Sequence, residues 1–282
     1  MKLGAHISTA KPFSSSITRA MEIGCECMQI FANPPQRWNP TPIQEEEIRL
    51  YKQLNIKAGI DPVIIHSIYL VNFASVNPFF YESSIKSLID DMRKAKSIGA
   101  LGVNTHLGST KGGEFKDCLP KISQSVTRIL NETEESNFII ENAAGAGNII
   151  GDTLEEIAEI VSKVNSKRVK VLIDTAHAFA SGYDLGTGSG LDDFLDRFDQ
   201  LLGLDLLAGF HLNDSKSGLN SKRDRHADIG EGEIGLNLFQ KVVTHPKLTD
   251  KFGILETPQD KMSWLNQLEL LKELRKIPNK GK

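Results

Sequence analysis

The chain has little of what would mark a secreted scaffold, a membrane protein or a basic nucleic-acid module. Three of its 282 residues are cysteine. Cys25 and Cys27 are spaced C-x-C and Cys118 stands apart, so neither a disulfide framework nor a C-x-x-C zinc or redox motif is present, and a reducing interior is expected. No apolar run reaches the length that crosses a bilayer. The opening Met1-Lys2-Leu3-Gly4-Ala5-His6 lacks the charged start and apolar core of a secretory signal, so a cytoplasmic location with no membrane partner is expected. A basic excess is missing too: the formal charge is -3, which does not suggest a nucleic-acid binder as long as no metal is bound. What is present is 40% hydrophobic and 24% charged, which suits one globular domain over residues 1–282 that closes in a polar tail of about 276–282.

Sequence repeats are absent, yet the order of segments repeats. Short apolar runs predict strands at Leu3–Ile7, Cys27–Phe31, Val63–His66, Val103–His106, Phe138–Glu141, Val169–Asp174, Leu206–His211 and Gly253–Glu256. Helical periodicity follows each of them, at Ser14–Ile23, Ile43–Asn55, Ser83–Ile98, Leu119–Asn131, Leu154–Val164, Leu191–Leu201, Leu236–Val243 and Trp264–Leu274. Asp152 ahead of Thr153-Leu154-Glu155 marks one helix start, because acidic groups favour the unpaired N–H groups of a first turn. Strict alternation of eight βα units predicts an α/β fold, a single-domain (β/α)8 TIM barrel with its active site at the C-terminal face of the strands. An open doubly wound sheet is the rival, typically with fewer strands.

The run Val171-Leu172-Ile173 stops at Asp174, and His177 follows three residues later. A carboxylate leaving a strand and a histidine in the turn after it are not expected to aim at one point, which suits two neighbouring cations better than one. Other strands end alike: His66, His106, Glu141, His211 and Glu256 fall at the same rim, and the long loop of residues 213–233 adds Asp224-Arg225-His226. Five of the seven histidines therefore gather at one end of the barrel, interleaved with carboxylates. Imidazole with carboxylate and no thiolate suits zinc or manganese rather than calcium or magnesium. Nine candidate ligands exceed the needs of one zinc, and three ions sharing a carboxylate are the natural division. Three divalent cations would move the formal charge from -3 to +3 (-3 plus 6), concentrated in one cleft that could attract a phosphodiester.

Several stretches together resemble a known family. They are Gly4-Ala5-His6, Ile65-His66-Ser67-Ile68-Tyr69-Leu70, Thr105-His106-Leu107-Gly108-Ser109, Ile140-Glu141-Asn142-Ala143-Ala144-Gly145, Ile173-Asp174-Thr175-Ala176-His177, His211-Leu212-Asn213-Asp214-Ser215-Lys216, Asp224-Arg225-His226 with Gly230-Glu231-Gly232, and Ile254-Leu255-Glu256-Thr257. In order and from first strand to last, they look like endonuclease IV, the zinc-dependent apurinic/apyrimidinic endonucleases of base excision repair. The resemblance implies a first zinc on His66, His106 and Glu141, a second on Glu141, Asp174, His211 and Glu256, and a third on His177, Asp224 and His226, with Mn2+ acceptable at one or more sites. It implies a metal-generated hydroxide attacking the phosphorus 5′ to an abasic site, oriented by Glu256, with Glu141, Asp174 and Glu256 as the catalytic carboxylates. The products would be a 3′-hydroxyl and a 5′-deoxyribose phosphate. Gln36, Arg37, Trp38 and Tyr69 would enter the minor groove of double-stranded DNA, and Lys216, Arg223 and Arg225 would meet phosphates. Leu107 and Ile68 depart from the family pattern without replacing a ligand.

His6 is expected to sit behind the ligands rather than among them, and His245 is given no role. Gly230-Glu231-Gly232-Glu233-Ile234-Gly235 spells the dinucleotide fingerprint, but it follows a polar loop instead of a strand and carries two glutamates, so no nucleotide cofactor is expected. A monomer is expected. Two rival readings remain: a metal-dependent sugar isomerase or epimerase on the same barrel, which needs one or two metals and leaves His177, Asp224 and His226 unexplained, and a non-catalytic lesion-binding or metal-storage protein.

Overall fold

A computed structural model describes residues 1–277. Its eight long strands are β1 (Lys2–Ile7), β2 (Cys27–Phe31), β3 (Val63–His66), β4 (Gly102–Thr105), β5 (Asn137–Glu141), β6 (Val169–Asp174), β7 (Leu207–His211) and β10 (Phe252–Leu255). All pair in parallel and close into a barrel in sequence order, β10 returning to β1. This is the (β/α)8 architecture the alternation predicts. A parallel strand is buried on both faces, which is why each reads as an unbroken apolar run.

Around the barrel run α1 (Ser15–Glu22), α2 (Glu45–Ala58), α3 (Pro78–Ile98), α4 (Phe115–Asn131), α5 (Leu154–Val164), α7 (Gly190–Leu201), α8 (Leu236–Thr244) and α9 (Trp264–Lys276). They pack apolar stripes such as Ile122, Val126 and Ile129 of α4 onto the strands; each such fully buried side chain contributes about 1.5–3 kcal/mol. Where helix limits differ from the sequence reading, the capping chemistry explains it. α3 starts at Pro78, five residues before Ser83, because the Asn77 side chain accepts hydrogen bonds from the N–H groups of Phe79 and Phe80. Thr153, not Asp152, caps α5 by accepting from the Glu156 N–H. α2 shifts to Glu45–Ala58, with three glutamates in its first turn and left-handed Gly59 ending it. α9 runs through Lys276, so the expected tail from 276 begins inside a helix; residues 278–282 lie outside the described residues.

One short helix, α6 (Thr175–Ser181), stands where the sequence reading places a turn. The long loop of residues 213–233 is also less irregular than its composition suggests, since β8 (Asp214–Ser215) and β9 (His226–Ala227) pair antiparallel within it.

Side chains alternate along a strand, so residues two apart share a face. Cys27, Ile64, Ile139, Leu172 and Ile254 form a small apolar cluster of their own, separate from the larger core that the helices pack against. Two positions further along each of these strands come Gln29, His66, Glu141, Asp174 and Glu256. Counting likewise on the other three strands, from Gly4, Gly102 and Gly209, gives His6, Asn104 and His211. Each of the eight strands therefore contributes one polar side chain to a ring above an apolar floor. At Gly209 a side chain would strike the Phe252 ring at 2.6 Å, so glycine is what lets that ring fill the floor.

Candidate metal centre and active site

Residues of this ring converge with others from the loops above it. His66, His106 and Glu141 offer ligand atoms within 4.8 Å of one another; so do Glu141, Asp174, His211 and Glu256, and so do Asp174, His177 and His226. The sets overlap through two carboxylates. Glu141, fully buried, divides its oxygens: Oε2 lies 3.4 Å from His66 Nε2 and 3.7 Å from His106 Nε2, while Oε1 lies 3.0 Å from His211 Nδ1 and 3.4 Å from His177 Nδ1. Asp174 divides its oxygens differently. Its Oδ1 caps α6, accepting from the N–H groups of Ala176 at 2.7 Å and His177 at 3.0 Å, which leaves Oδ2 for the site.

That cap sets how near Asp174 and His177 stand to one another. Capping places His177 one turn into a helix whose first N–H groups wrap Asp174, and the ring folds back so that Nδ1 stands 3.8 Å from Asp174 Oδ2. Asp224 completes the neighbourhood from the loop, 3.3 Å from His177 Nε2 and 3.1 Å from His226 Nε2. His106 and Glu256 sit one residue past the ends of β4 and β10 rather than closing them, but both reach the rim as expected.

The second nitrogens of the histidines have partners that leave a lone pair facing inward. His66 Nδ1 is 2.7 Å from the Ser67 carbonyl, and His177 Nδ1 is 3.1 Å from the Asn142 carbonyl. A carbonyl can only accept, so in each ring the proton sits on Nδ1 and Nε2 is free to ligate. His211 is reversed: Nε2 lies 2.9 Å from Gln29 Oε1, leaving Nδ1 toward Glu141 and Glu256. Gln29 also donates to Glu256 Oε1 at 2.5 Å, and His6 Nδ1 is 2.9 Å from the same oxygen. Asn104 donates to Glu141 Oε2 at 2.5 Å, and Asn213 to Asp174 Oδ2 at 2.7 Å. Sequence reasoning missed Gln29 and Asn104. Their signal was positional, two residues beyond Cys27 and Gly102 on the inward face.

The electrostatics show what this donor set suits. Burial disfavours the imidazolium of His211, but the carboxylates of Glu256 and Glu141 outweigh it and raise the pKa to about 9. For His226 burial is likewise outweighed, chiefly by Asp174 and Asp224, again to about 9. His177 is raised well above its ordinary value against burial by Asp174 and Asp224, and His66 is raised against burial by Glu141. In return Glu141 is held well below the usual carboxylate range, burial being overcome by His106 and His211. Without cations, imidazolium protons neutralise the buried carboxylates; divalent ions would displace them and release protons. His226 Nε2 is buried among carboxylate oxygens alone, 3.1 Å from Asp224 Oδ1 and 3.6 Å from Asp174 Oδ2, as a ligand atom would be. The residues present fit a cluster of N/O-ligated divalent cations.

A cleft of about 1300 Å³ opens over the cluster, lined by His66, His106, His177, Asp224, His226 and Glu256 and extending between the loops after β1 and β2. Gln36 and Arg37 are exposed on the β2 loop; Trp38 is half-buried against Phe80, ring centroids 6.3 Å apart. Tyr69 is exposed at the cleft wall, and its N–H bonds the Pro35 carbonyl at 2.9 Å, tying the two loops together. Asn33 anchors the same loop to α3, donating to Asp90 and Asp91 and accepting from Lys94 and from the Thr41 N–H. Lys216, Arg223 and Arg225 are exposed; Lys216 pairs with Asp260 at 2.5 Å. His245 bonds Asp192 of α7, away from the cluster. The glycine-rich 230–235 segment proves to be an anion cradle already filled: Asp214, fully buried, accepts from the N–H groups of Gly230, Gly232, Ile234 and Gly235 at 3.0–3.4 Å.

Comparison with known proteins gives the fold and the family. The family model described as xylose isomerase-like TIM barrel matches residues 17–275. A probable endonuclease 4 of Halothermothrix orenii is 39% identical over 261 residues, 92% of this chain and 94% of the relative. The crystal structure of endonuclease IV from Thermus thermophilus superposes with a TM-score of 0.87 at 32% identity, covering 97% of this chain and 98% of that one. A D-tagatose 3-epimerase-like protein superposes at 0.72 with 20% identity, a likeness of fold alone. The chain belongs to the endonuclease IV family, within the xylose isomerase-like TIM barrels.

Proposed function

We propose that the chain is a DNA-repair endonuclease that hydrolyses the phosphodiester 5′ to an abasic site in double-stranded DNA, leaving a 3′-hydroxyl and a 5′-deoxyribose phosphate. The observation that carries this is the overlap of three donor sets through Glu141 and Asp174. A single-metal isomerase or epimerase has no use for the third set, nor for the loop that brings in Asp224.

His66, His106 and Glu141 would hold one Zn2+, Glu141, Asp174, His211 and Glu256 a second, and His177, Asp224 and His226 a third, with Asp174 close enough to share; Mn2+ accepts the same ligands. Cations so held supply water that ionises near neutral pH and a positive field for phosphate oxygens. The protein supplies position. Glu256, with Oε1 fixed by His6 and Gln29, keeps Oε2 toward the cluster to orient the attacking water. It stays ionised, since His211 and His6 hold its pKa well below the ordinary value despite burial. The P–O3′ bond breaks as the new P–O bond forms, and the departing 3′ oxygen, on the side of His177, Asp224 and His226, takes a proton. Exposed Gln36, Arg37 and Tyr69, with Trp38, would enter the duplex, while Lys216, Arg223 and Arg225 meet its phosphates without reading sequence.

The test is incision of a duplex with one abasic site, run beside elemental analysis. About three metals per chain and loss of incision in Glu141→Ala are expected; near-normal cutting by that variant, or one metal per chain in the wild type, would overturn the reading.

A further inference from the structure

The loop after β2, residues 32–44, carries Gln36, Arg37 and Trp38 and contains no helix or strand. Rim loops of that kind are ordinarily the least stable part of a barrel. This one is fastened from inside. Asn33 is 7% exposed, and all four hydrogen-bonding positions of its amide are used. Nδ2 donates to Asp90 Oδ2 and Asp91 Oδ1, both at 2.8 Å, and Oδ1 accepts from Lys94 Nζ at 2.6 Å and from the Thr41 N–H at 2.8 Å. An ammonium and a backbone N–H can only donate, so these partners fix which way the amide faces. One side chain thus closes the loop on itself and ties it to α3.

Three more contacts hold the outer part of the loop. The Arg37 N–H turns back onto the Pro34 carbonyl at 3.1 Å, the Tyr69 N–H reaches the Pro35 carbonyl at 2.9 Å, and the Trp38 ring lies at 27° to Phe80. Pro34, Pro35, Pro40 and Pro42 each fix a φ angle along the way. Those contacts that leave the loop fall on one neighbour: Asp90, Asp91, Lys94 and Phe80 belong to α3, and Tyr69 to the connection between β3 and α3. The same unit supplies His66, so the loop is held in register with the candidate centre. Asp91 is fully buried and Lys94 nearly so, and charges kept from water are costly unless they are bonded. Among the described residues, none of the side-chain hydrogen bonds of Asn33, Asp90, Asp91 and Lys94 reaches a candidate metal ligand; what they hold is the loop.

We infer that Asn33, backed by Asp90, Asp91 and Lys94, is a positioning residue that shapes the β2 loop before DNA arrives, so that Gln36, Arg37 and Trp38 meet the duplex already in place. The inference rests on the proposed nuclease reading. A loop fixed in advance loses less conformational freedom in the complex. Once the clasp is cut, those side chains must be ordered at the moment of binding, which weakens association and leaves the metal centre as it was. KM then rises while kcat holds, the mark of lost binding common to ground state and transition state.

The experiment is a double-mutant cycle with the metal-loaded full chain on a duplex bearing one abasic site: wild type, Asn33→Ala, Arg37→Ala and the two together. Asn33→Ala should raise KM about tenfold, what ordering one or two such side chains costs, with kcat and metal content as in wild type. Because Asn33 acts through the contacts the loop makes, its effect should shrink to about threefold or less once Arg37 is gone. Fluorescence gives a reading that needs no turnover. The chain has two tryptophans, so in a Trp264→Phe background Trp38 reports alone, and Asn33→Ala should shift its emission to the red as the ring leaves Phe80. Should Asn33→Ala fold poorly, Lys94→Met takes its place, removing one partner of the amide from the α3 side. Wild-type KM in the variant, a rise undiminished in the Arg37→Ala background, or a fall in kcat or metal content instead, overturns the clasp and leaves the nuclease reading standing. A wild type that cuts no such duplex overturns the nuclease reading itself, while the Trp38 emission still reports on the clasp.

Discussion

Replacing Asp214 by Asn probes how the loop that carries Asp224 and His226 is held. Asp214 is fully buried and takes five backbone N–H bonds, from Ser215 at 2.8 Å and from Gly230, Gly232, Ile234 and Gly235 at 3.0–3.4 Å. Its strand β8 pairs with β9, Asp214 opposite Ala227 and Ser215 opposite His226, so the carboxylate pins the far end of the loop to the strand beside His226. Asn keeps the shape but turns one acceptor oxygen into an NH2 group facing N–H donors. Hydrogen bonds to a charged acceptor are worth about 1.5–3 kcal/mol each and a buried donor left unsatisfied costs about 1–3 kcal/mol, so stranding two or three of them in a partly collapsible loop costs about 3–5 kcal/mol in all. For a domain of this size, in which 1 kcal/mol shifts Tm by about 2 °C, that is a fall of roughly 6–10 °C. Calorimetry of the metal-free protein reads it directly, and elemental analysis should show the loosened loop keeping its metal less well than wild type. A Tm within about 2 °C of wild type, less than 1 kcal/mol would produce, with full metal retained, would refute the idea that Asp214 organises the loop.

Other expectations follow from the same contacts. His177→Ala should lower metal content from about three per chain to about two, because Glu141, Asp174 and the remaining histidines still complete the other sets; loss of all metal would contradict that division. Gln29→Ala frees His211 Nε2 and Glu256 Oε1 together, and should weaken metal affinity about 10–100-fold in a chelator competition while leaving the fold intact; unchanged affinity would show that Gln29 orients neither. Burial, with Asp90 adding to it against Lys94, raises the Asp91 pKa to about 7. A carboxyl whose pKa is higher folded than unfolded binds more protons in the native state, so its contribution to stability falls as pH rises toward 7. Asp91→Asn should therefore gain on wild type by about 2–3 kcal/mol between pH 5 and pH 8 in denaturant titrations; a pH-independent difference would remove the raised pKa.

How much of this was legible in the sequence follows from which physics leaves a local trace. The barrel did, because parallel strands buried on both faces read as continuous apolar runs, and so did the gathering of polar strand ends at one rim, where a run such as Val171–Ile173 stops at Asp174. Gln29 and Asn104 left none as amides; they become visible only when inward-facing positions are counted strand by strand. α6 was hidden because Asp174 serves twice, as cap and as rim carboxylate, and a turn was read where a helix begins. The aromatic run Phe79-Phe80-Tyr81 carries no helical period, which hid the start of α3. Order in the 213–235 loop depends on side chain to backbone bonds spanning up to 21 residues from Asp214. Periodicity cannot reveal those.

The most direct measurement is end-group mapping of a duplex bearing one abasic site after incubation with the metal-loaded chain. A single cut 5′ to the site is predicted, giving a 3′-hydroxyl that a polymerase extends at once, with no cut after chelation. A cut 3′ to the site, a blocked 3′ end, or turnover of a ketose with the duplex left intact would contradict it.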